Sequence, residues 1–324
     1  MLVIGITVLL GVGLIHAGGT VHARTASPPV FGPWDVGHAS KARLIALPGA
    51  RPQVQSDAER VIAPNAIIRS GVLAGIQIEM SDGYKTYWRH PGTDGGIPPE
   101  LDWSGSTNVK AVKVGFPTPK RYVGEYGYAI GYKDALILPV VAEPLNESQP
   151  MTLRLGLFYG VCKEICIPAE AGLSAVINPR GDRGAFFGRP TSSGASGGAS
   201  SSSGPDAIAA SRLIDAVYAV PKPITADGGL PRVVTSRVET KAGKATVWVE
   251  VDFGVGATGT DLFAEAPRGL FIASVVKVSD QGQGKKLFSI SLPDGLPAAS
   301  KGITQLDATL VTAAGGVTAA IPLR

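Results

Sequence analysis

The chain has 324 residues, of which 44% are hydrophobic, and this is enough apolar material for the cores of two domains. Its formal net charge of +4 comes from scattered basic residues rather than from a Lys/Arg block, which argues against nucleic acid as a partner. The 42 glycines and 25 prolines, with short apolar runs between them, favour many strands and turns over long helices.

The chain begins with an apolar stretch, residues 2–15, which is shorter than the roughly 20 residues that span a bilayer. Small residues follow it near position 23. Residues 1–23 are therefore predicted to be an export signal, with an uncleaved N-terminal anchor as the alternative. Both alternatives place the rest of the chain outside the cytoplasm, where pairs of cysteines oxidise.

Residues 27–180 read as a series of short strands separated by turns, which is typical of an antiparallel β-sandwich of the immunoglobulin type. Residues 90–99 are predicted to be a long irregular loop within it. The predicted strands are residues 39–47, 72–80, 84–89, 109–116, 135–141, 151–159 and 172–177.

The second half of the chain is predicted to hold a flexible linker, one helix and a second sandwich, so that the fold class is all-β. The linker is the Gly/Ser-rich stretch at residues 184–204. A helix at 206–220 opens the predicted second domain, residues 205–324, with an apolar stripe formed by Ile208, Leu213, Ile214, Val217 and Tyr218. Cysteine-free strands are then predicted at residues 233–239, 245–253, 269–278, 286–292, 304–311 and 317–323.

Cys162 and Cys166 are the only cysteines, and they follow directly on the alternating apolar residues of the strand at 151–159. Because Pro168 disfavours a central strand, both thiols are expected where that strand runs out into a turn. Residues four apart in an extended chain are separated by about 13 Å, which is too far for a disulfide. A disulfide here therefore requires the chain to fold back, through one helical turn or a tight loop.

The small ring that such a disulfide closes bears on its role. The entropic gain is about 2 kcal/mol, against nearly 5 kcal/mol for a ring of a hundred residues. Three interpretations remain open from the residues alone: a redox-active pair, a structural staple, or a thiolate pair that handles Cu(I). Lys163 would stabilise a thiolate and Glu164 would oppose it.

Other motifs do not indicate a cofactor, metal or small-molecule site. Gly254, Gly256 and Gly259 match a dinucleotide-binding spacing, but no helix is predicted after them. His38 and His90 lack the local spacing of metal ligands. Several acidic residues are predicted to be turn and surface groups: Glu79, Asp82, Asp94, Glu100 and Asp102.

Three segments occur in the order found in a known family: residues 82–89 (DGYKTYWR), 131–140 (GYKDALILPV) and 160–170 (GVCKEICIPAE). With them, most of residues 36–178 resembles the N-terminal domain of the thiol:disulfide interchange protein DsbD, and more closely the single-chain bacterial relatives of that domain. The resemblance implies an immunoglobulin-like sandwich with two cysteines on one edge, located in the periplasm.

The resemblance also implies a function, which is protein-disulfide reduction by relay of electrons from a membrane reductase to exported thioredoxin-fold partners. Cys166 matches the family's attacking cysteine and Cys162 matches the resolving one. The aromatic cap that shields these cysteines in the family maps onto residues 117–132, where Tyr122 and Tyr126 are the candidate caps. The alternative functions are a cysteine-stapled binding or scaffold module of the envelope and a Cu(I)-handling protein.

Overall fold

The computed structural model describes residues 29–48, 71–125, 127–180, 205–224, 229–265, 271–295 and 303–323. These residues form four sheets and one helix, and the sheets face each other in two pairs. The predicted all-β class with two sandwiches is thereby confirmed. The predicted export signal and the predicted linker lie outside the described residues.

The first sandwich pairs two sheets with the strand orders β1-β3-β4-β10-β7 and β12-β11-β5-β9-β8. Two short strands join these sheets at the side, β2 on β3 and β6 on β11. The strands are β1 (Val30–Phe31), β2 (Asp35–Val36), β3 (Ser40–Leu47), β4 (Val72–Met80), β5 (Lys85–Gly92), β6 (Glu100–Asp102), β7 (Val109–Val114), β8 (Lys120–Gly124), β9 (Gly127–Lys133), β10 (Ala135–Pro144), β11 (Met151–Cys162) and β12 (Cys166–Ile177).

The core of this sandwich follows from alternation along the strands, because successive side chains of a strand point to opposite faces. On β11 the inward side chains are Leu153, Leu155, Leu157 and Tyr159, all almost fully buried. Trp88 contributes the largest buried side chain from β5. The prediction of an irregular loop at 90–99 is wrong at its start, because β5 continues to Gly92.

The helix α1 (Pro205–Ala219) covers the outer face of the first sheet. It exists where it was predicted, but its buried face is different. Leu213 and Val217 are buried as expected, whereas Ile208, Ile214 and Tyr218 are exposed. The rest of the buried face consists of small or C-terminal residues, namely Ala209, Ala216 and Val220.

The second sandwich pairs a sheet of order β13-β20-β19-β16 with a sheet of order β14-β15-β18-β17. Its core is rich in β-branched and aromatic side chains, including Val247, Val249 and Phe288. Its strands are β13 (Lys222–Pro223), β14 (Arg232–Lys241), β15 (Lys244–Asp252), β16 (Asp261–Glu265), β17 (Ser274–Gly282), β18 (Lys285–Leu292), β19 (Gln305–Thr312) and β20 (Gly315–Pro322).

The two sandwiches contact each other where side chains of the second sandwich pack on the core of the first. Phe263 of β16 and Val311 of β19 belong to the same buried cluster as the core of the first sandwich. The ring of Phe263 lies 6.0 Å from that of Trp88. Within the described ranges, no helix is both long and apolar enough to cross a membrane.

Candidate redox site

The candidate site lies on the hairpin formed by β11 and β12. Cys162 is the last residue of β11 and Cys166 is the first of β12, and the two are direct partners across the hairpin. Residues 163–165 form the connecting loop. The two cysteines form a disulfide, with their Cα atoms 4.1 Å apart. Of the two geometries left open by the sequence, the chain adopts the tight loop and not the helical turn.

Pro168 does not end the sheet as expected. It lies inside β12, opposite Gly160, and the ladder continues past it to Ile177. A proline is tolerated at this position because β12 is the edge strand of its sheet, where a backbone N–H on the outer side needs no partner strand. The cysteines therefore sit at the end of a long hairpin and not beyond a short strand.

The disulfide lies on the outer face of its sheet. Val161 points into the sandwich core, so the next residue, Cys162, points to the opposite side. There the disulfide belongs to a small separate cluster with Tyr87, Ala129 and Tyr122. Cys162 is 1% exposed, whereas Cys166 is only partly buried. Cys166 is therefore the more accessible residue of the pair.

The segment that was mapped onto the family's cap consists mainly of a β-hairpin. Residues 117–132 include β8 and most of β9, which pair antiparallel, with Tyr122 opposite Ala129. Both side chains face the disulfide cluster. Tyr122 is therefore packed on the cluster that contains the cysteines, and its role as a cap remains a prediction. Tyr126, the other candidate, lies outside the described residues.

Tyr87 links the disulfide to a carboxylate. Its hydroxyl oxygen lies 3.0 Å from Cys166 Sγ and donates to Asp94 Oδ2 at 3.3 Å. The other oxygen of Asp94 is buried and has no hydrogen-bond partner in the described protein. Burial raises the pKa of Tyr87, and the charge of Asp94 raises it further, so the hydroxyl keeps its proton at neutral pH.

The two charged residues of the loop, Lys163 and Glu164, have exposed side chains. The ammonium of Lys163 lies 5.8 Å from the centre of the Tyr84 ring, and its stem packs on Gly83. Another cation, Lys133, lies 5.0 Å from the Tyr122 ring centre. Burial raises the pKa of Tyr122, and the negative charge of Asp134 adds to this effect.

Sequence reasoning missed Tyr87 and Asp94 as members of the site. Asp94 was predicted to be a surface group, which is wrong, because one of its oxygens is buried beside Tyr87. The alternation of side chains along β5 was a usable signal. Trp88 is the obvious core residue, so its neighbour Tyr87 must face the opposite side of the sheet, which carries the cysteines. Asp94 had no such local signal.

His90 also differs from its expected place in a loop. It lies on β5, and its Nε2 atom is 3.2 Å from Glu265 Oε2 of the second sandwich. Over the described part of the chain, no three His, Cys, Asp or Glu side chains cluster in a way that would hold a metal ion.

The fold and the site define a class, namely a β-sandwich that carries a cross-strand disulfide in a small cluster with two tyrosines. Residues 53–178 match the family model described as "Thiol:disulfide interchange protein DsbD, N-terminal". This part of the chain is therefore similar to that domain, and the resemblance found in its motifs is confirmed. No match appears among the curated proteins.

A solved structure extends the likeness to the second sandwich. It is the crystal structure of the N-terminal periplasmic domain of ScsB from Proteus mirabilis, with a TM-score of 0.56 and 15% sequence identity. The match covers 90% of this chain and 98% of that one, so it includes residues beyond the family domain. At this identity the likeness concerns the fold alone.

Proposed function

We propose that this protein is an exported thiol:disulfide interchange protein, which relays electrons from a membrane reductase to thioredoxin-fold partners through Cys162 and Cys166. The observation that carries the proposal is the position of the disulfide, on the outer face of a sheet and apart from the sandwich core. A staple that braces the fold would gain more by joining distant strands. This disulfide joins the two residues on either side of one tight hairpin turn.

The partial burial of the site supports a division of roles between the cysteines. Cys166 is the more accessible one and would attack the partner disulfide as a thiolate, releasing one partner thiolate and forming a mixed disulfide. The Cys162 thiolate would then attack Cys166 Sγ and release the second partner thiolate. Two electrons pass to the partner, and its two thiolates take up the two protons that the cysteines lost.

The surface around the site suits a protein partner. Ile165, at the tip of the hairpin loop beside the disulfide, is 76% exposed. An exposed branched apolar side chain next to a reactive sulfur provides a contact that a partner would bury. The proposal includes periplasmic location, residues 27–180 as the redox domain and residues 205–324 as a second domain.

The test uses the two single cysteine variants and oxidised thioredoxin as the partner. Cys162→Ser is expected to trap a mixed disulfide through Cys166, visible as a band shift that dithiothreitol reverses. Cys166→Ser is expected to give neither transfer nor trapping. A reduction potential above about −300 mV would agree with a relay, because structural disulfides lie below that value. Unchanged transfer in both variants, or a lower potential, would instead favour the cysteine-stapled module.

A further inference from the structure

The hairpin of β8 and β9 presents its two faces to different parts of the molecule. Tyr122 and Ala129 are cross-strand partners, and both pack on the disulfide cluster. Arg121 precedes Tyr122, so its side chain points to the other face of the same hairpin. That other face meets the second sandwich. One strand of five residues thus contacts the disulfide cluster and the second sandwich at consecutive positions.

Arg121 is bound by the second sandwich on several sides. Its Nε and Nη2 atoms donate to the two carboxylate oxygens of Asp261, at 2.8 and 2.9 Å. The same guanidinium donates to the backbone carbonyls of Leu262 and Val275, at 3.2 and 3.1 Å. A bidentate pair of this kind fixes orientation as well as distance. The arginine side chain is only 17% exposed.

Tyr128 of β9 strengthens the same attachment. Its hydroxyl accepts a hydrogen bond from the backbone N–H of Val275 at 2.9 Å. Its ring lies 4.0 Å below the guanidinium of Arg121, which is the geometry of a cation–π contact. Both strands of the hairpin are therefore tied to the second sandwich by side chains that face away from the disulfide.

Within the described chain, β8 has few attachments to the first sandwich, because it is an edge strand that pairs only with β9. β9 is held more firmly, since Ile130 and Tyr132 are buried in the core of that sandwich. β9 also pairs with β5 at four positions, with an irregularity between Tyr87 and Gly92. Val123 of β8, in contrast, is 83% exposed. An edge strand with so few contacts opens locally at low free-energy cost unless something else holds it.

We propose that the second sandwich anchors an aromatic cover of the disulfide, with Arg121 and Asp261 as the positioning residues that keep Tyr122 packed on the disulfide cluster. The second domain thereby controls how often the disulfide becomes accessible. This role goes beyond the relay function and does not depend on it, because it concerns access to the sulfur atoms by any thiol.

The experiment measures how fast dithiothreitol reduces the disulfide in the full chain. A dithiothreitol thiolate attacks Cys166 Sγ and releases the Cys162 thiolate, and the second thiol of the reagent then closes its own ring and frees Cys166. Two electrons pass from the reagent to the protein. We expect Asp261→Asn to speed this reaction about tenfold, because a charge-assisted bidentate pair is lost. Glu143→Gln, which breaks the Lys110–Glu143 pair on the first sandwich, is the control and should leave the rate unchanged.

A double-mutant cycle with Tyr122→Ala separates anchoring from general destabilisation. If Asp261 acts through the cover, Tyr122→Ala alone accelerates reduction and Asp261→Asn adds nothing to it. Thermal unfolding should show the destabilisation by Asp261→Asn in both backgrounds. Arg121→Lys, which keeps the charge but loses the bidentate geometry, provides a second variant and should give an intermediate acceleration.

Two results would overturn the proposal. The first is an unchanged reduction rate in Asp261→Asn and Arg121→Lys. The second is an acceleration by Asp261→Asn of the same size with and without Tyr122. Failure of partner transfer in the cysteine variants would leave this test intact, because dithiothreitol replaces the partner.

Discussion

The hydroxyl of Tyr87 lies close enough to donate a hydrogen bond either to the carboxylate of Asp94 or to the sulfur of Cys166. It has one proton to donate. In the oxidised protein the carboxylate is the charged acceptor of the two, and hydrogen bonds to charged groups are the stronger ones. Reduction creates a second anion when Cys166 ionises, and the two acceptors then compete for the same donor.

Tyr87→Phe is expected to make the Cys166 thiolate harder to form, because its nearest hydrogen-bond donor is removed. At neutral pH the alkylation of Cys166 by iodoacetamide should slow by about tenfold, which corresponds to the typical free energy of a hydrogen bond to a charged group. The measurement uses the reduced Cys162→Ser background, so that one thiol reacts. Tyr84→Phe is the matched control, because Tyr84 contacts Lys163 and not the sulfur. An equal effect in both variants would contradict the prediction.

Asp94→Asn is expected to act in the opposite direction. The change removes a negative charge beside the site and a competing acceptor for the Tyr87 proton, so the Cys166 thiolate forms more readily. Alkylation in the same Cys162→Ser background should become several-fold faster at neutral pH, and its pH profile should move to lower pH. Asp82→Asn, at an exposed turn, provides the control. Slower alkylation in Asp94→Asn would show that the carboxylate supports the thiolate instead.

Gly96 sets the position of Tyr87 from the loop side. A Cβ atom added at residue 96 would lie 2.1 Å from atoms of the Tyr87 ring, so the ring or the loop must move. We expect Gly96→Ala to displace Tyr87 from the disulfide and to speed its reduction by dithiothreitol by about threefold to tenfold, with a loss of stability of about 1 to 3 kcal/mol. Gly105→Ala is the control, because its Cβ would meet Arg154 only at 3.5 Å. An unchanged rate in Gly96→Ala would mean that Tyr87 does not limit access.

The parts of the fold that could be predicted are those with a local pattern. The alternation of Leu153, Leu155 and Leu157 predicted β11, and a single clean alternation was enough to place the cysteines at its end. The helix was predicted from an apolar stripe at helical spacing that ends before Pro221, and its position is confirmed, but the residues that form its buried face were only partly identified. Large side chains suggested the stripe, whereas in the structure Leu213 packs over Gly75 and the alanines Ala209 and Ala216 complete the buried face.

The elements that escaped prediction depend on contacts far along the chain. β8 contains few apolar residues, and its second residue, Arg121, pairs with Asp261, which is 140 residues away. β16 has only five residues, and its Phe263 packs in the core of the other sandwich. The local periodicity of the sequence carries no information about such long-range contacts. The same reason explains why Asp94 was taken for a surface group, since its partner Tyr87 is fixed by the tertiary fold.

The contact between β5 and the second sandwich predicts a dependence of stability on acid pH. Glu265 accepts from Arg89 Nε at 2.8 Å and lies beside His90. Burial opposes its ionisation, but the hydrogen bonds and charges of His90 and Arg89 prevail and lower the pKa of Glu265 to about 2, from an ordinary 4.5. A lowered pKa in the folded state means that this stabilisation is complete above about pH 4.5 and is lost as the pH falls towards 2.

Glu265→Gln should therefore destabilise the protein at pH 7 and much less at pH 2, because the glutamine does not titrate. The difference in the free energy of unfolding is expected to be on the order of 2 to 3 kcal/mol at neutral pH and to shrink between pH 4.5 and pH 2. Thermal unfolding of both proteins across this range measures it. Glu143→Gln, on the exposed Lys110–Glu143 pair, should show a far smaller difference, since exposed ion pairs contribute about 0 to 1 kcal/mol. A Glu265→Gln difference that stays constant with pH would show that the carboxylate contributes through packing and not through its charge.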